Sequence, residues 1–189
     1  MAFTAVMFEA VNKQPFRIAP HHRIICHKLD QVLRGEHPTN RLMFNIPPRH
    51  SKTELAVVSF SAIGFAINPR SEFMHLSSSD QLTTRNVTNI RRIMEIPITA
   101  HSSQMSNCPT MPRKYIHLKR GVMYAAPSMG QITGFGCGKL GAQEFSGAMS
   151  IDDPMKAQDS YSSTTKERIG ELWTSTFKNR LNAFVPRSL

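Results

Sequence analysis

Between residues 42 and 67 the chain reads LMFNIPPRHSKTELAVVSFSAIGFAI. An apolar run, a proline-marked turn and a longer apolar run predict a buried strand over 42–46, a turn, and a helix over about 52–67. Similar patterning predicts a helix over 20–34, a strand over 72–77, and a helix over 80–94 that Asp80 caps and that closes before Pro97. The stretch 97–115, with Pro97, Pro109 and Pro112 among polar residues, reads as an irregular surface excursion. Short strands over 116–118 and 121–126 are placed to pair, and Gly130, Gly134, Gly136, Gly138 and Gly141 punctuate a turn-rich segment after them. TTKERIGELWTSTFKNRL, residues 164–181, reads as a last helix. Strands alternating with helices imply an α/β fold with a mostly parallel sheet.

The junction between the two apolar runs carries the first candidate chemistry. Backbone N–H groups at a helix start, together with the positive end of its dipole, favour a phosphate there. Lys52 is placed to reach terminal phosphates and the Thr53 hydroxyl to ligate Mg²⁺. The usual pattern, G-x-x-x-x-G-K-[ST], has glycines where this chain has Ile46 and Ser51, so Ser51-Lys52-Thr53 read alone is also compatible with an ordinary helix cap.

A second motif is GAMSIDDP, residues 147–154, where small and apolar residues lead into two adjacent acids and a proline. This reads as a strand ending in carboxylates, with Asp152 holding Mg²⁺ and Asp153 orienting and deprotonating an attacking water. Adjacent carboxylates repel unless a cation shares them. An Asx turn before Pro154 is the alternative for the motif taken alone.

Five stretches in this order resemble the ATPase motor domain of the large terminase subunit of tailed bacteriophages and prophages: 19–38 (APHHRIICHKLDQVLRGEHP), 42–57 (LMFNIPPRHSKTELAV), 76–95 (LSSSDQLTTRNVTNIRRIME), 130–139 (GQITGFGCGK) and 147–160 (GAMSIDDPMKAQDS). That family has a deviant Walker A loop of the form PPRxxKT or PPRxGKS, so the missing first glycine is part of the likeness. The second acid of its Walker B segment is often Glu, where this chain has Asp153. The resemblance implies a P-loop NTPase-like three-layer sandwich that binds ATP and Mg²⁺. Its ATP site would comprise Pro48, Arg49, His50, Ser51, Lys52, Thr53 and Gln14, with Thr53 and Asp152 on the metal and Asp153, Lys52 and Arg49 in catalysis.

The resemblance further implies a homo-oligomeric ring on a portal protein, working with a small terminase subunit in the bacterial host cytoplasm to drive double-stranded DNA into a capsid. At 189 residues the chain fits one domain. Where the family continues into a strand bearing a coupling motif and then a nuclease domain, the sequence reads NAFVPRSL, which implies a C-terminally truncated motor domain. Two other readings stand beside it: a non-catalytic prophage remnant that binds nucleotide or DNA, and another P-loop NTPase such as a helicase-like protein.

A net charge of +10 and a pI near 10 suit a partner with a phosphate backbone. Residues 61–120 hold eight basic groups against three acidic ones. Arg91, Arg92, Arg113, Lys114, Lys119 and Arg120 are therefore candidate DNA contacts, with a solvated basic face as the plainer reading. Sparse aromatics argue against single-strand stacking. Lys139 is a weak candidate for the cation of the transition state, and Phe16 joins Gln14 as a candidate adenine contact. His21, His22, Cys26 and His27 include residue types that bind zinc, without a second ligand cluster at finger-like spacing. Cys26, Cys108 and Cys137 are widely spaced and predict no disulfide framework. MAFTAVMFEA lacks a basic leader region, and no apolar run reaches the roughly 18 residues of a membrane span.

Overall fold

A computed structural model describes residues 1–39, 41–96, 115–117, 121–130, 132 and 134–182. Helices α1 (Ala2–Asn12) and α2 (Pro20–Arg34) lead to an extended segment, a turn and a long helix that starts at Lys52. That helix contains a π-helical stretch, Glu54–Ser59, and continues as α3 (Phe60–Ile67). Then come β1 (Glu72–Ser77), α4 (Asp80–Met94), β2 (Tyr115–His117), β3 (Val122–Pro127) and β4 (Met149–Asp152). A 3₁₀ turn (Ala157–Tyr161) precedes α5 (Ser163–Leu172), which runs on through a π turn and a short 3₁₀ turn to Arg180.

The four strands form one sheet in the order β2-β3-β1-β4. β1 is parallel to both β3 and β4, and β2 is antiparallel to β3, as the short hairpin-like spacing predicts. Side chains of β1 alternate between two apolar clusters, Phe73 entering one and Met74 with Leu76 the other. A strand covered on both faces reads as a near-continuous apolar run, and FMHL is such a run. The larger cluster joins the sheet to all four of the first helices through residues such as Met7, Leu29, Phe65 and Ile90. The smaller one packs Phe177 and Ile132 on the opposite face.

Local chemistry explains the helix ends. The Ser79 hydroxyl accepts from the Leu82 N–H at 3.3 Å, Asp80 occupies the first turn of α4, and Arg91 and Arg92 the last, all favourable to the helix dipole. Pro20 opens α2 and Gly35 closes it at φ 71°, where a glycine bears no steric cost. α1 has no counterpart in the sequence reading. It buries only Thr4 and Met7, and its apolar residues lie on several faces, so no helical stripe stands out.

The strand expected over 42–46 is a correction. The segment is extended, with Leu42, Phe44 and Ile46 packed on the core and Met43 and Asn45 exposed, but it joins no sheet. Alternating burial and the two following prolines enforce extension. A ladder also needs a registered partner, and Pro47 and Pro48 offer no N–H donors to one.

Two buried features fix how β4 lies against β1. At Gly147 (φ 137°) a Cβ would sit 1.9 Å from the Glu72 carbonyl oxygen, so only glycine admits this approach at the mouth of β4. Further along, fully buried His75 of β1 accepts at Nε2 from the Asn86 amide of α4 at 3.0 Å. That leaves its Nδ1–H to donate towards Ser150 of β4, 3.2 Å from the hydroxyl oxygen. Burial holds His75 down to a pKa of about 4.

Gly147→Ala is expected to cost roughly 3 kcal/mol or more in urea unfolding. His75 sets a pH dependence: the unfolded chain binds a proton near pH 6.5 that the folded chain refuses until about pH 4. Its contribution is full above pH 6.5 and declines as pH falls through that window, by on the order of 3 kcal/mol. Unfolding curves taken across the window should show this slope, and His75→Gln should flatten it.

Candidate functional site

Parallel strands bring their carboxyl ends to one edge, where ligand sites of open α/β sheets form. The register pairs Ser77 with Asp152, so the ends of β1 and β4 lie side by side. Facing them is the start of the long helix. The Thr53 hydroxyl donates to Asp152 Oδ2 at 2.5 Å, and Lys52 Nζ meets Asp153 Oδ1 at 2.5 Å, across sequence separations of 99 and 101 residues. The two motifs read separately from the sequence thus form one constellation.

The loop before the helix has a distinctive backbone. Arg49 (φ 64°) and Ser51 (φ 61°) are left-handed, while His50 between them is not. Alternation of this kind turns successive N–H groups into a concavity that binds anions. Ser51 occupies the position where the usual loop has glycine, and holding a non-glycine residue there costs on the order of 1 kcal/mol. The Ser51 carbonyl accepts from the Leu55 N–H at 3.0 Å, and His50 Nδ1 lies 2.8 Å from the Pro48 carbonyl oxygen. Pro48, Arg49 and His50 are exposed, whereas Ser51, Lys52 and Thr53 are partly covered.

The two acids differ in environment. Burial raises the pKa of Asp152 and the Asp153 charge adds to the rise, while the Thr53 hydrogen bond and the Lys52 charge oppose it. Asp153 is exposed and left-handed at φ 44°. Buried Ser128, beyond the end of β3, fixes the turn by donating to the Pro154 carbonyl at 2.5 Å. Its N–H bonds the Ser77 carbonyl at 2.7 Å. The sequence reading missed Ser128, whose only local signal is its place one residue past a strand. It also missed Glu54, whose pKa burial raises against the pull of Arg85 on α4.

Other expected residues lie outside this constellation. Gln14 is exposed in the segment between α1 and α2. Phe16 packs its ring 5.1 Å from those of both Phe8 and His22. His21 and His22 lie edge to face at 4.1 Å, Cys26 is a free thiol, and no group of three possible ligands is arranged to hold a metal among the described residues. Lys139 Nζ is 4.0 Å from Glu72, at the start of β1. The five steps from Glu72 to Ser77 put it roughly 16 Å from the carboxyl edge of its own sheet. Arg91 donates to the Tyr115 carbonyl, and Arg92 lines a polar groove on α4 with Arg85, Thr88 and Asn12. Arg113, Lys114, Lys119, Arg120 and Cys108 fall outside the described residues.

The residues present fit a magnesium-bound nucleotide. Thr53 and Asp152 offer two hard oxygen donors at one point, the set that Mg²⁺ takes beside phosphate oxygens. The anion-binding loop and Lys52 flank that point.

No protein-family model and no curated protein matches the sequence. Among solved structures, the crystal structure of the HK97 bacteriophage large terminase resembles this chain with a TM-score of 0.54 and 14% identity. The match covers 97% of this chain and 43% of that one, so the chain spans less than half the length of that terminase. At that identity the likeness is one of fold: the chain has a terminase-like α/β fold. No helix among the described residues is long and apolar enough to cross a membrane.

Because Ser51 is left-handed, Ser51→Gly should raise stability by about 0.5–1 kcal/mol, and Ser51→Val should lower it by more than about 1 kcal/mol. Thermal or urea unfolding of the two variants tests this, and equal stabilities would contradict the left-handed assignment.

Proposed function

We propose that the chain is a Mg²⁺-dependent, ATP-binding and ATP-hydrolysing unit of the terminase motor type. The observation that carries the proposal is the meeting of Lys52 and Thr53 with Asp153 and Asp152, on a loop whose left-handed residues build an anion-binding concavity. The three-layer P-loop sandwich, in this reading, is the architecture around that meeting point.

The N–H groups of residues 49–53 hold the phosphates, and Lys52 exchanges the Asp153 carboxylate for a phosphate oxygen. Thr53 and Asp152 would hold Mg²⁺, which when bound would offset phosphate charge and the repulsion between ionised Asp152 and Asp153. Once released from Lys52, Asp153 is free to orient a water and accept its proton. Arg49, exposed on the loop, is placed to sense the outermost phosphate. Gln14 and Phe16 would flank the base. The work done would be translocation of double-stranded DNA, with a neighbouring copy of the chain supplying a further cationic group, and with portal and small terminase subunit as partners in the bacterial cytoplasm. The nuclease step of such machines lies outside this domain.

Binding of a fluorescent ATP analogue with Mg²⁺, alongside phosphate release, tests the roles. Lys52→Ala should weaken binding at least about tenfold, whereas Asp153→Asn should bind like the parent and release no phosphate. Unaltered phosphate release by either folded variant would refute the assignment.

A further inference from the structure

A chain of rings runs from the first helix to the phosphate loop. Phe8 of α1 meets Phe16 with ring centroids 5.1 Å apart, Phe16 meets His22 at 5.1 Å, His22 meets His21 at 4.1 Å, and His21 meets His50 at 5.5 Å. His50 is the residue between the two left-handed positions, so the far end of the stack is set into the strained part of the loop.

Each ring has a fixed place. His22 is 5% exposed and accepts the Ala19 N–H at Nδ1 (3.1 Å), which puts its proton on Nε2. Nε2 of His22 and Nε2 of His21 are both buried without a hydrogen-bond partner. The rings therefore serve by packing, and edge-on ring contacts of this kind add to the area they bury. The charges acting on His22 come from His21 on its own helix and His50 on the loop, and the backbone groups from His50 and Arg17; no carboxylate is among them.

We propose that the stack of Phe16, His22, His21 and His50 is a positioning element for the phosphate loop. It rests on the nucleotide reading of the same loop and adds the element that sets its shape. A left-handed Arg49 and Ser51 persist only where the surroundings over-determine them. The stack supplies that constraint from α2, through the one loop side chain that lies between them. Burial, followed by the neighbouring His21, lowers the pKa of His22, which favours the neutral ring at that place in the stack.

His21→Ala removes the central ring, and His21→Phe keeps a ring at that place. Without nucleotide, trypsin cleavage after Arg49, followed by mass spectrometry at about pH 7.5, reads the loop directly. His21→Ala should be cut about fivefold faster than the parent, with His21→Phe restored to the parental rate. With a fluorescent ATP analogue and Mg²⁺ at about pH 7.5, His21→Ala should bind about fivefold more weakly than the parent, and His21→Phe like the parent. Parental cleavage in His21→Ala, or failure of His21→Phe to restore it, overturns the positioning role. Parental nucleotide affinity in His21→Ala, where the parent binds, likewise overturns it. If the parent binds no nucleotide but the cleavage rates follow the expected order, the positioning role stands and the nucleotide reading falls.

Discussion

The structure depends on one constraint: β4 must lie parallel to β1 in the register that pairs Ser77 with Asp152. Strand side chains alternate faces, so a slip of one residue would turn Asp152 away from Thr53 and bring Ile151 or Asp153 to its place. Two features guard the register. Gly147 lets β4 enter against the Glu72 carbonyl, and His75 spans from Ser150 to Asn86 on α4. Both lie in the sheet and neither reaches the site, yet they decide which carboxylate arrives at its edge.

At that edge the chain accepts local cost for chemistry. Arg49, Ser51 and Asp153 are left-handed without being glycine, and Asp152 is an acid whose ionisation burial opposes. Such costs persist where surrounding structure over-determines them, and here the support is identifiable. Ser128 clamps the turn after Asp153 through the Pro154 carbonyl, the helix start receives Lys52 and Thr53, and the ring stack reaches His50 from α2. The proposed site lies where the sequence departs from the conformations its residues prefer.

The parts legible in the sequence were those with a local cause. β1 (Glu72–Ser77) and α4 (Asp80–Met94) coincide with the expected spans because a doubly buried run and a capped amphipathic stripe each declare themselves. α2 does so through Pro20 and Gly35. Leu42 to Ile46 looked like a strand because alternation reports extension and burial, not a partner. The π-helical stretch within the long helix and the modest stripe of α1 have no simple residue pattern behind them. In the site, Lys52, Thr53, Asp152 and Asp153 were legible as types at helix and strand ends. Their meeting, the places of Ser128 and Glu54, and the stacking of His21 on His50 are products of tertiary packing alone. Lys139 shows the converse, since nearness in sequence to the acidic strand left it at the opposite end of the sheet.

The central claim is that residues 48–53 with Asp152 and Asp153 form a single magnesium-nucleotide site. Its most direct test is a calorimetric titration of the unmodified chain with ATP, once in excess Mg²⁺ and once in a chelator. The account predicts saturable binding of one nucleotide per chain in Mg²⁺ and a marked loss of affinity in the chelator, because Thr53 and Asp152 would then face the phosphates without a cation. Absence of binding by the folded chain in Mg²⁺, or equal affinity in both conditions, would contradict it.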